Sequence, residues 1–339
     1  MTAIAKSSAP GDVDTIVEQL QTMLADDLIA TEALLKVRAA SPVAMIPDLS
    51  GYIVSAGGKR LRPIVTLAAA NAAGGANAGT HALAAAVEFI HTATLLHDDV
   101  VDESDLRRGK QAAKNVWGNS ASILVGDFLF ARAFTLMVET DSLEILGILS
   151  NASSVIAEGE VHQLAAAGRK DLPTEEYLAI IEAKTAALFE AAARAGALSA
   201  GPDGAQFADA LAAYGKNLGL AFQIVDDALD YGGTTSVIGK TVGDDFREGK
   251  ITLPTIIARR RGSEDDIAFW DRALDIDQQK EGDLAHAIYL IRTTGAAEAT
   301  LAEAQAYASL AKTALKALPE SDWTKALATL ADFCVSRGH

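Results

Sequence analysis

Apolar residues recur at intervals of three and four along most of the chain, as in Thr80 to Leu96 and Thr174 to Leu198. This spacing places the apolar side chains on one face of an α-helix. The sequence therefore predicts an all-α protein. We expect helices at about 13–40, 43–56, 64–73, 80–102, 120–139, 142–166, 174–200 and 204–231, followed by further helices to the C-terminus.

Glycine and proline mark the expected breaks between these helices. Gly57 and Gly58 end the second helix, and Pro63 suits the first turn of the next one. Two polar segments, 103–118 and 232–250, are expected to be loops. No linker or shift in composition divides the chain, so a single domain over residues 1–339 is expected, with residues 1–14 disordered.

The net charge limits the kinds of partner that the protein is expected to bind. The 339 residues include 29 Lys and Arg against 45 Asp and Glu, a net charge of −16. Such a chain is not expected to bind nucleic acid or an anionic membrane through electrostatic attraction. Cys334 is the only cysteine in the sequence, which excludes an intramolecular disulfide and suits the reducing cytoplasm. Charged residues such as Glu88 and Asp127 interrupt the apolar helices, so no transmembrane segment is expected.

Two clusters of aspartate are the most informative feature of the sequence. Asp98 and Asp102 are four residues apart on one expected helix, and Asp226 and Asp230 repeat that spacing on another. Residues at i and i+4 lie on the same face, so each pair points in one direction. Hard oxygen donors favour Mg²⁺, which commonly shares its ligand shell with substrate phosphates. The implied ligand is a diphosphate, and the alternative for a single cluster is a solvated helix face.

Basic residues gather in or beside the loops. They occur in the segment 57–63, at Arg107 and Arg108, and at Lys240 and Lys250. Arginine makes bidentate contacts to phosphate oxygens, and lysine acts as a mobile point charge. Each residue taken alone could equally be a surface salt-bridge partner in so acidic a protein. Their occurrence together with two aspartate clusters favours a diphosphate site.

These motifs resemble those of the trans-isoprenyl diphosphate synthases, and most closely the long-chain polyprenyl branch of that family. The resemblance runs from about Tyr52 to the C-terminus and implies an isoprenoid synthase-type helical bundle around a central cavity. The matching segments are GGKRLRP at 57–63, DDVVD at 98–102 with RRG at 107–109, GDFL at 126–129, KTA at 184–186, FQIVDDALD at 222–230, and GK at both 239–240 and 249–250.

The resemblance implies a role for each matching residue. The residues implied to bind Mg²⁺, three ions in all with substrate bound, are Asp98, Asp102 and Asp226, supported by Asp99, Asp227 and Asp230. Those implied to bind the allylic diphosphate are Arg107, Lys184, Lys240 and Lys250, with Thr185 and Gln223 lining the reacting region. Those implied to bind isopentenyl diphosphate are Lys59, Arg62, His91 and Arg108. The resemblance also implies a homodimer.

Two histidines have a second interpretation. Taken alone, His91 is more simply a satisfied histidine on an apolar helix. His97, beside the expected metal ligands, either supports them from behind or faces solvent.

Small residues near the first aspartate cluster favour a long product. Ala93 lies five residues before Asp98, about 7.5 Å back along the helix. Short-chain relatives often have an aromatic residue there, whereas Ala93, Ile90 and Thr94 offer no aromatic plug. Further stops for the growing hydrocarbon are expected at Leu136, Met137 and Leu149. The alternative is that Ala93 is small for close helix packing.

The expected function is therefore Mg²⁺-dependent condensation of isopentenyl diphosphate onto an allylic diphosphate such as farnesyl diphosphate. The expected product is C40 to C50, with decaprenyl diphosphate favoured, for the ubiquinone side chain. Transient membrane contact would release so insoluble a product. The alternatives are a short-chain C15 to C20 synthase, a non-catalytic subunit of a heteromeric synthase, a class I terpene cyclase, and a structural helical protein. The last would leave buried aspartates uncompensated.

Overall fold

The computed structural model describes residues 13–55, 58–107, 109–232 and 242–336. Helices make up nearly all of this part of the chain, which confirms the all-α fold class. Up to the first loop they are α1 (Val13–Met23), α2 (Ala25–Arg38), α3 (Met45–Ser55), α4 (Leu61–Ala73) and α5 (Ala78–Val101). The middle of the chain forms α6 (Ala113–Trp117), α7 (Asn119–Val138), α8 (Leu143–Ala166), α9 (Thr174–Ile181), α10 (Ala187–Ser199), α11 (Pro202–Ala205) and α12 (Ala208–Gly232).

The C-terminal third is also helical. It contains α13 (Asp244–Arg247), α14 (Leu253–Arg261), α15 (Glu264–Ala273), α16 (Asp283–Thr293), α17 (Ala296–Ala314) and α18 (Asp322–Ser336), with 3₁₀ turns at Ile276–Gln278 and Leu315–Ala317. The expected disorder of residues 1–14 falls almost entirely outside the described residues, because the description begins at residue 13.

Five sequence expectations about element boundaries were wrong, and one of them is the expected loop 232–250, which contains α13. The first expected helix is two helices, interrupted at Leu24, whose φ of −100° and ψ of 14° depart from helical values. The expected helix 174–200 contains a π-helical segment, Glu182–Ala186, between α9 and α10. The expected helix from 204 is divided into α11 and α12. The expected loop 103–118 contains α6 and an antiparallel pair of short strands, β1 (Leu106–Arg107) and β2 (Lys110–Gln111).

The start of α5 illustrates how local chemistry defines an element. Asn77 precedes the helix in an extended conformation, and its side-chain oxygen accepts hydrogen bonds from the backbone N–H of Gly79 (2.8 Å) and Thr80 (3.2 Å). The Thr80 hydroxyl in turn accepts from the backbone N–H of Asn77. This capping box satisfies donors that a helix N-terminus leaves without partners. It starts the long helix that carries the first aspartate cluster.

Two hydrophobic cores support the molecule, and α10 belongs to both. Phe189 and Ala193 pack into the first core, which α12 and the C-terminal helices complete. Leu188 and Ala192 pack into the second core with residues of α5, α7 and α8. The aspartate clusters lie on α5 and α12, and each of these helices packs against α10.

One described helix, Asn119–Val138, is long and apolar enough to cross a membrane by length and composition alone. Only 39% of that window is buried. A core helix of a soluble protein passes the same test, so this feature is weak evidence for a span. The expected absence of a transmembrane segment stays a prediction.

Candidate active site

The first aspartate cluster divides its carboxylates between two sides of α5. Asp99 is fully buried and accepts a hydrogen bond from Arg107 Nε at 2.8 Å. Asp98 and Asp102 are only partly buried and lie on the other side of the helix. Asp99 therefore orients the guanidinium of Arg107, while Asp98 and Asp102 remain available to a ligand.

Asp98 lies where its negative charge is costly. Burial raises the pKa of this carboxyl to about 7, and the carboxylates of Glu160 and Asp102 act in the same direction. The Lys184 ammonium opposes them by favouring the charged form. A divalent cation at this position would stabilise the carboxylate in the same way, and more strongly.

Lys250 links the segment after the second loop to the first aspartate cluster. Its Nζ lies 2.8 Å from Asp102 Oδ2 and 2.7 Å from Glu248 Oε2. Burial lowers the pKa of Lys250, but the carboxylates of Asp102 and Glu248 outweigh it and leave the pKa above its usual value. The ammonium is therefore charged, and it lies beside an expected metal ligand, where a substrate diphosphate would meet it.

The expected Lys184-Thr185-Ala186 motif lies in the π-helical segment. Lys184 Nζ donates to Glu160 Oε2 and to Gln163 Oε1, both at 2.8 Å. Thr185 Oγ1 donates to Gln223 Oε1 at 2.8 Å, on α12. Single π turns inside α-helices are frequent at functional sites. Here the wider turn directs Lys184 toward α5 and α8 and Thr185 toward the second aspartate cluster.

Two glycines let neighbouring helices approach the π segment. A Cβ on Gly159 of α8 would lie 2.8 Å from Ala183 Cβ and 2.9 Å from the backbone nitrogen of Lys184. A Cβ on Gly219 of α12 would lie 2.6 Å from Ala186 Cα. All three distances are shorter than those that real Cβ atoms show. The missing side chains therefore set the position of Lys184 and Thr185.

Replacing Gly159 by Ala is expected to displace the π segment and to lower kcat/KM by about tenfold to a hundredfold. The reason is that an ångström-scale misplacement of a catalytic group costs up to ~10²-fold in rate. Steady-state assays with an allylic diphosphate measure the effect. Gly147 on the same helix is the control, because a Cβ there meets nothing within 4 Å. Gly147→Ala should leave kcat/KM unchanged, and an equal loss in both variants would contradict this explanation.

The second aspartate cluster is bound into the structure more tightly than the first. Asp227 is buried and accepts hydrogen bonds from Tyr177 Oη (2.6 Å) and Gln223 Nε2 (2.8 Å). Burial raises its pKa to about 8, with a contribution from Asp245. Asp226 is the partly exposed carboxylate of the cluster. The structure thus gives Asp227 a supporting position and leaves Asp226 partly exposed.

Asp230 anchors the chain that returns from the second loop. Its two carboxylate oxygens accept hydrogen bonds from the backbone N–H of Asp244 (3.2 Å) and Asp245 (3.0 Å). Its backbone carbonyl accepts from the N–H of Gly243 at 2.8 Å. Asp230 therefore supports the site by holding the start of α13.

The residues expected to bind the second diphosphate also lie together. Arg62 Nη1 donates to His91 Nε2 at 3.2 Å, and its guanidinium lies 4.5 Å from the centre of the Phe189 ring. Lys59 Nζ lies 4.8 Å from the centre of the Phe333 ring, which comes from the C-terminal helix α18. Each cation thus lies over the face of an aromatic ring, which attracts a positive charge. Two further expected binding residues, Arg108 and Lys240, lie outside the described residues.

His97 faces α7. Its Nε2 donates to the Ile123 carbonyl at 3.1 Å and lies 3.5 Å from Asp127 Oδ1. A Cβ on Gly126 would lie 2.3 Å from that nitrogen, so only glycine leaves room for the ring. The Gly126-Asp127 motif therefore accommodates the His97 ring. Through these contacts with α7, His97 supports α5 near the aspartates.

The residues expected to limit product length line the second core. Five of them are fully buried there: Ile90, Ala93, Leu136, Met137 and Leu149. Thr94 is partly buried, and its hydroxyl donates to the His91 carbonyl at 2.8 Å. The apolar group therefore extends from the first aspartate cluster into the interior between α5, α7 and α8.

Three site residues were not identified from the sequence: Glu160, Gln163 and Tyr177. A signal existed for the first two, because their i, i+3 spacing places both on one face of α8. The sequence contains no such signal for Tyr177, because a tyrosine whose hydroxyl binds an aspartate has the same sequence pattern as any other buried tyrosine.

The donor set fits Mg²⁺. Within the residues that the structure describes, no three His, Cys, Asp or Glu side chains are grouped closely enough to bind an ion alone. Mg²⁺ is usually held by only one or two carboxylates, with substrate phosphates and water completing its shell. Asp98 and Asp102 on α5 and Asp226 on α12 supply oxygen donors of that kind.

Comparison with known proteins identifies the family of this chain. The model of the polyprenyl synthetase family matches residues 43–291. The chain is 42% identical to the octaprenyl diphosphate synthase of Escherichia coli K12 over 322 residues, 94% of this chain and 98% of that protein. A polyprenyl synthase structure from Caulobacter crescentus CB15, complexed with calcium and isoprenyl diphosphate, is 54% identical with a TM-score of 0.92, covering 97% of this chain and 99% of that one.

A decaprenyl diphosphate synthase structure from Rhodobacter capsulatus is 48% identical, with a TM-score of 0.90 and coverage of 95% of this chain and 99% of that one. The residues that the family model matches include both aspartate clusters and all of the basic residues named above. The all-α bundle is thus the isoprenoid synthase fold that the motifs implied. The chain belongs to the polyprenyl synthetase family and is a prenyltransferase.

Proposed function

We propose that this protein is a Mg²⁺-dependent trans-polyprenyl diphosphate synthase that adds isopentenyl diphosphate repeatedly to an allylic diphosphate. The observation that supports the proposal is that the charged residues of the expected sites fall into two groups. At the first, Asp98 and Asp102 lie beside Lys184 and Lys250. At the second, Arg62 and His91 lie together, and Lys59 comes three residues before Arg62 in the chain. A terpene cyclase needs only the first site.

In this mechanism the chain holds the allylic diphosphate with Arg107, Lys184 and Lys250. Mg²⁺ bound by Asp98, Asp102 and Asp226 would neutralise the diphosphate as the allylic C–O bond breaks. The electron pair leaves with the diphosphate oxygen, and an allylic carbocation remains in a pocket that excludes water. Arg108 and Lys240 are proposed to bind the two diphosphates as the family resemblance implies.

The second substrate then completes the reaction. Lys59, Arg62 and His91 hold isopentenyl diphosphate so that its double bond attacks the cation and forms the new C–C bond. One proton leaves the condensed cation and restores a double bond. No residue is assigned as a strong base, and the departing diphosphate is the proposed acceptor. The product is an allylic diphosphate five carbons longer, which re-enters the cycle.

The proposed product is C40 to C50, with decaprenyl diphosphate favoured and a quinone side chain as its destination. The support is the aliphatic lining beyond Asp98, where Ala93 takes the place of an aromatic plug. A short-chain C15 to C20 product is the second candidate. A non-catalytic subunit is less favoured, because the sequence retains every expected carboxylate and basic residue.

We also propose a homodimer and a cytoplasmic location, with one domain over the whole chain. The adjacent helices α7 and α8 expose large apolar side chains that a partner would cover: Leu124 (66% exposed), Val138 (62%), Leu143 (86%), Val161 (65%) and Leu164 (57%). Exposed apolar surface of this extent is typical of an interaction site. Transient membrane contact for product release is a further role that this surface could serve.

Mass spectrometry of the products tests the proposal. The purified protein is incubated with farnesyl diphosphate, isopentenyl diphosphate and Mg²⁺. A series ending at a C40 to C50 diphosphate is expected, and a chelator should stop it until Mg²⁺ is restored. An end point of C15 to C20 would keep the reaction but reject the long product, and no elongation would favour the regulatory subunit or the cyclase.

A further inference from the structure

Arg60 belongs to the basic segment, yet its side chain turns inward. It donates from Nη1 to Glu88 Oε1 at 2.8 Å, from Nε to Glu32 Oε1 at 2.9 Å, and from Nη2 to the Val54 carbonyl at 3.1 Å. Its side chain is 15% exposed, and that of Glu88 is 5% exposed. Although burial opposes its charge, Glu88 and Glu32 leave the pKa of Arg60 above its usual value. The guanidinium therefore interacts with protein groups and is not placed to bind substrate.

The backbone of Arg60 supports this interpretation. Its φ of 51° lies in the left-handed region, which side chains other than glycine rarely adopt. Arg60 is also the N-cap of α4, and Arg62 lies in the first turn of that helix. A strained backbone conformation persists only where the surrounding contacts hold the residue in place. The three hydrogen bonds of the guanidinium are such contacts.

The partner of Arg60 lies on the helix that carries the rest of the site. Glu88 is on α5, one turn before His91 and ten residues, about 15 Å, before Asp98. An α-helix is stiff over this length. The Arg60–Glu88 pair therefore connects the segment 59–62, which bears Lys59 and Arg62, to the helix that bears His91 and the first aspartate cluster.

We propose that Arg60 is a positioning residue for isopentenyl diphosphate: its ion pair with Glu88 holds Lys59 and Arg62 at a fixed separation from the first aspartate cluster. This inference rests on the proposed function. A buried ion pair is weak evidence for stability, because apolar residues of similar size often replace such a pair without loss of stability. Such a replacement separates positioning from folding.

The test is the double variant Arg60→Met/Glu88→Leu, which removes both charges together. The expected result is a melting temperature close to that of the wild type, with a KM for isopentenyl diphosphate raised about tenfold or more. The KM for the allylic diphosphate should change less than about twofold, because Lys184 and Lys250 lie on other elements and contact neither Arg60 nor Glu88 in the bonds described above. Calorimetric binding of isopentenyl diphosphate gives a second measure that does not depend on turnover.

The matched control removes a comparable ion pair elsewhere. Arg272 and Asp283 form two hydrogen bonds of 2.7 Å between α15 and α16. Arg272→Met/Asp283→Leu should leave both KM values unchanged. If the Arg60 double variant does not fold, Arg60→Lys replaces it, since lysine keeps the charge but cannot reach all three acceptors. A raised dissociation constant for isopentenyl diphosphate is expected there too.

A wild-type KM and a wild-type dissociation constant for isopentenyl diphosphate in these variants would overturn the inference. An equal rise in both KM values would also overturn it, because that pattern indicates general distortion of the cleft. Wild-type protein that binds isopentenyl diphosphate without elongating any primer would instead contradict the proposed function. The binding measurement on the variants would still decide the role of Arg60.

Discussion

Asp98→Asn is expected to lower the elongation rate by about a thousandfold and, at pH 8, to raise the melting temperature of the substrate-free protein. The activity falls because the amide cannot supply an anionic ligand, and metal stabilisation of a leaving group contributes several kcal/mol. Radioactive isopentenyl diphosphate incorporation and a thermal melt without Mg²⁺ measure the two effects. A variant that keeps its elongation rate would contradict the assignment of Asp98 as a metal ligand.

The gain in stability follows from the direction of the pKa shift. The folded protein holds a proton on Asp98 up to about pH 7, whereas the unfolded chain loses it near 3.8. The charged carboxylate therefore destabilises the fold, increasingly as pH rises from 3.8 to 7, and fully above 7. The gain from Asn should accordingly be smaller at pH 5.5 than at pH 8. Asp209→Asn, at a side chain that is 91% exposed, is the control and should change neither property.

Ala93→Tyr is expected to shorten the product sharply, from C40–C50 toward C15–C20. Ala93 is fully buried in the second core, about 7.5 Å along α5 from Asp98, so the ring would fill the space into which the hydrocarbon grows. Product length is measured by mass spectrometry. An unchanged length would contradict the proposal that this wall limits the chain.

The control for this variant must separate plugging from overpacking. Inserting a large side chain into a packed core commonly costs about 1–3 kcal/mol. Ala258 is also fully buried, but it lies in the first core on α14. Ala258→Tyr should lower stability by a comparable amount and leave the product length unchanged. A shortened product in both variants would show that lost stability, not a plug, ends elongation.

The long helices and the two acidic faces could be predicted because both depend on spacing alone. Asp98 and Asp102 share a face in any α-helix, whatever surrounds them. The π segment could not be predicted, because its hydrogen-bond shift results from the close approach of Gly159 and Gly219 on other helices. Helix–helix distances of this kind have no counterpart in a local pattern of residues.

The basic segment 59–62 shows the same limit of prediction from sequence. Lys59, Arg60 and Arg62 are chemically alike in sequence, and each is a reasonable phosphate ligand. Arg60 differs only because Glu88 and Glu32 come from helices distant in the chain and meet it in the interior. The sequence predicts which groups gather at the site, while tertiary contacts decide which of them face the substrate.

The membership of α10 in both cores has a consequence for cooperativity. Phe189 and Leu188 are neighbours in the chain, yet each is buried in a different core. Loss of either core would expose one side of α10 and remove the support of the other. The two cores are therefore expected to unfold as a unit. The helices around the proposed site would be disrupted together, so a partly open protein that carries a reactive cation is disfavoured.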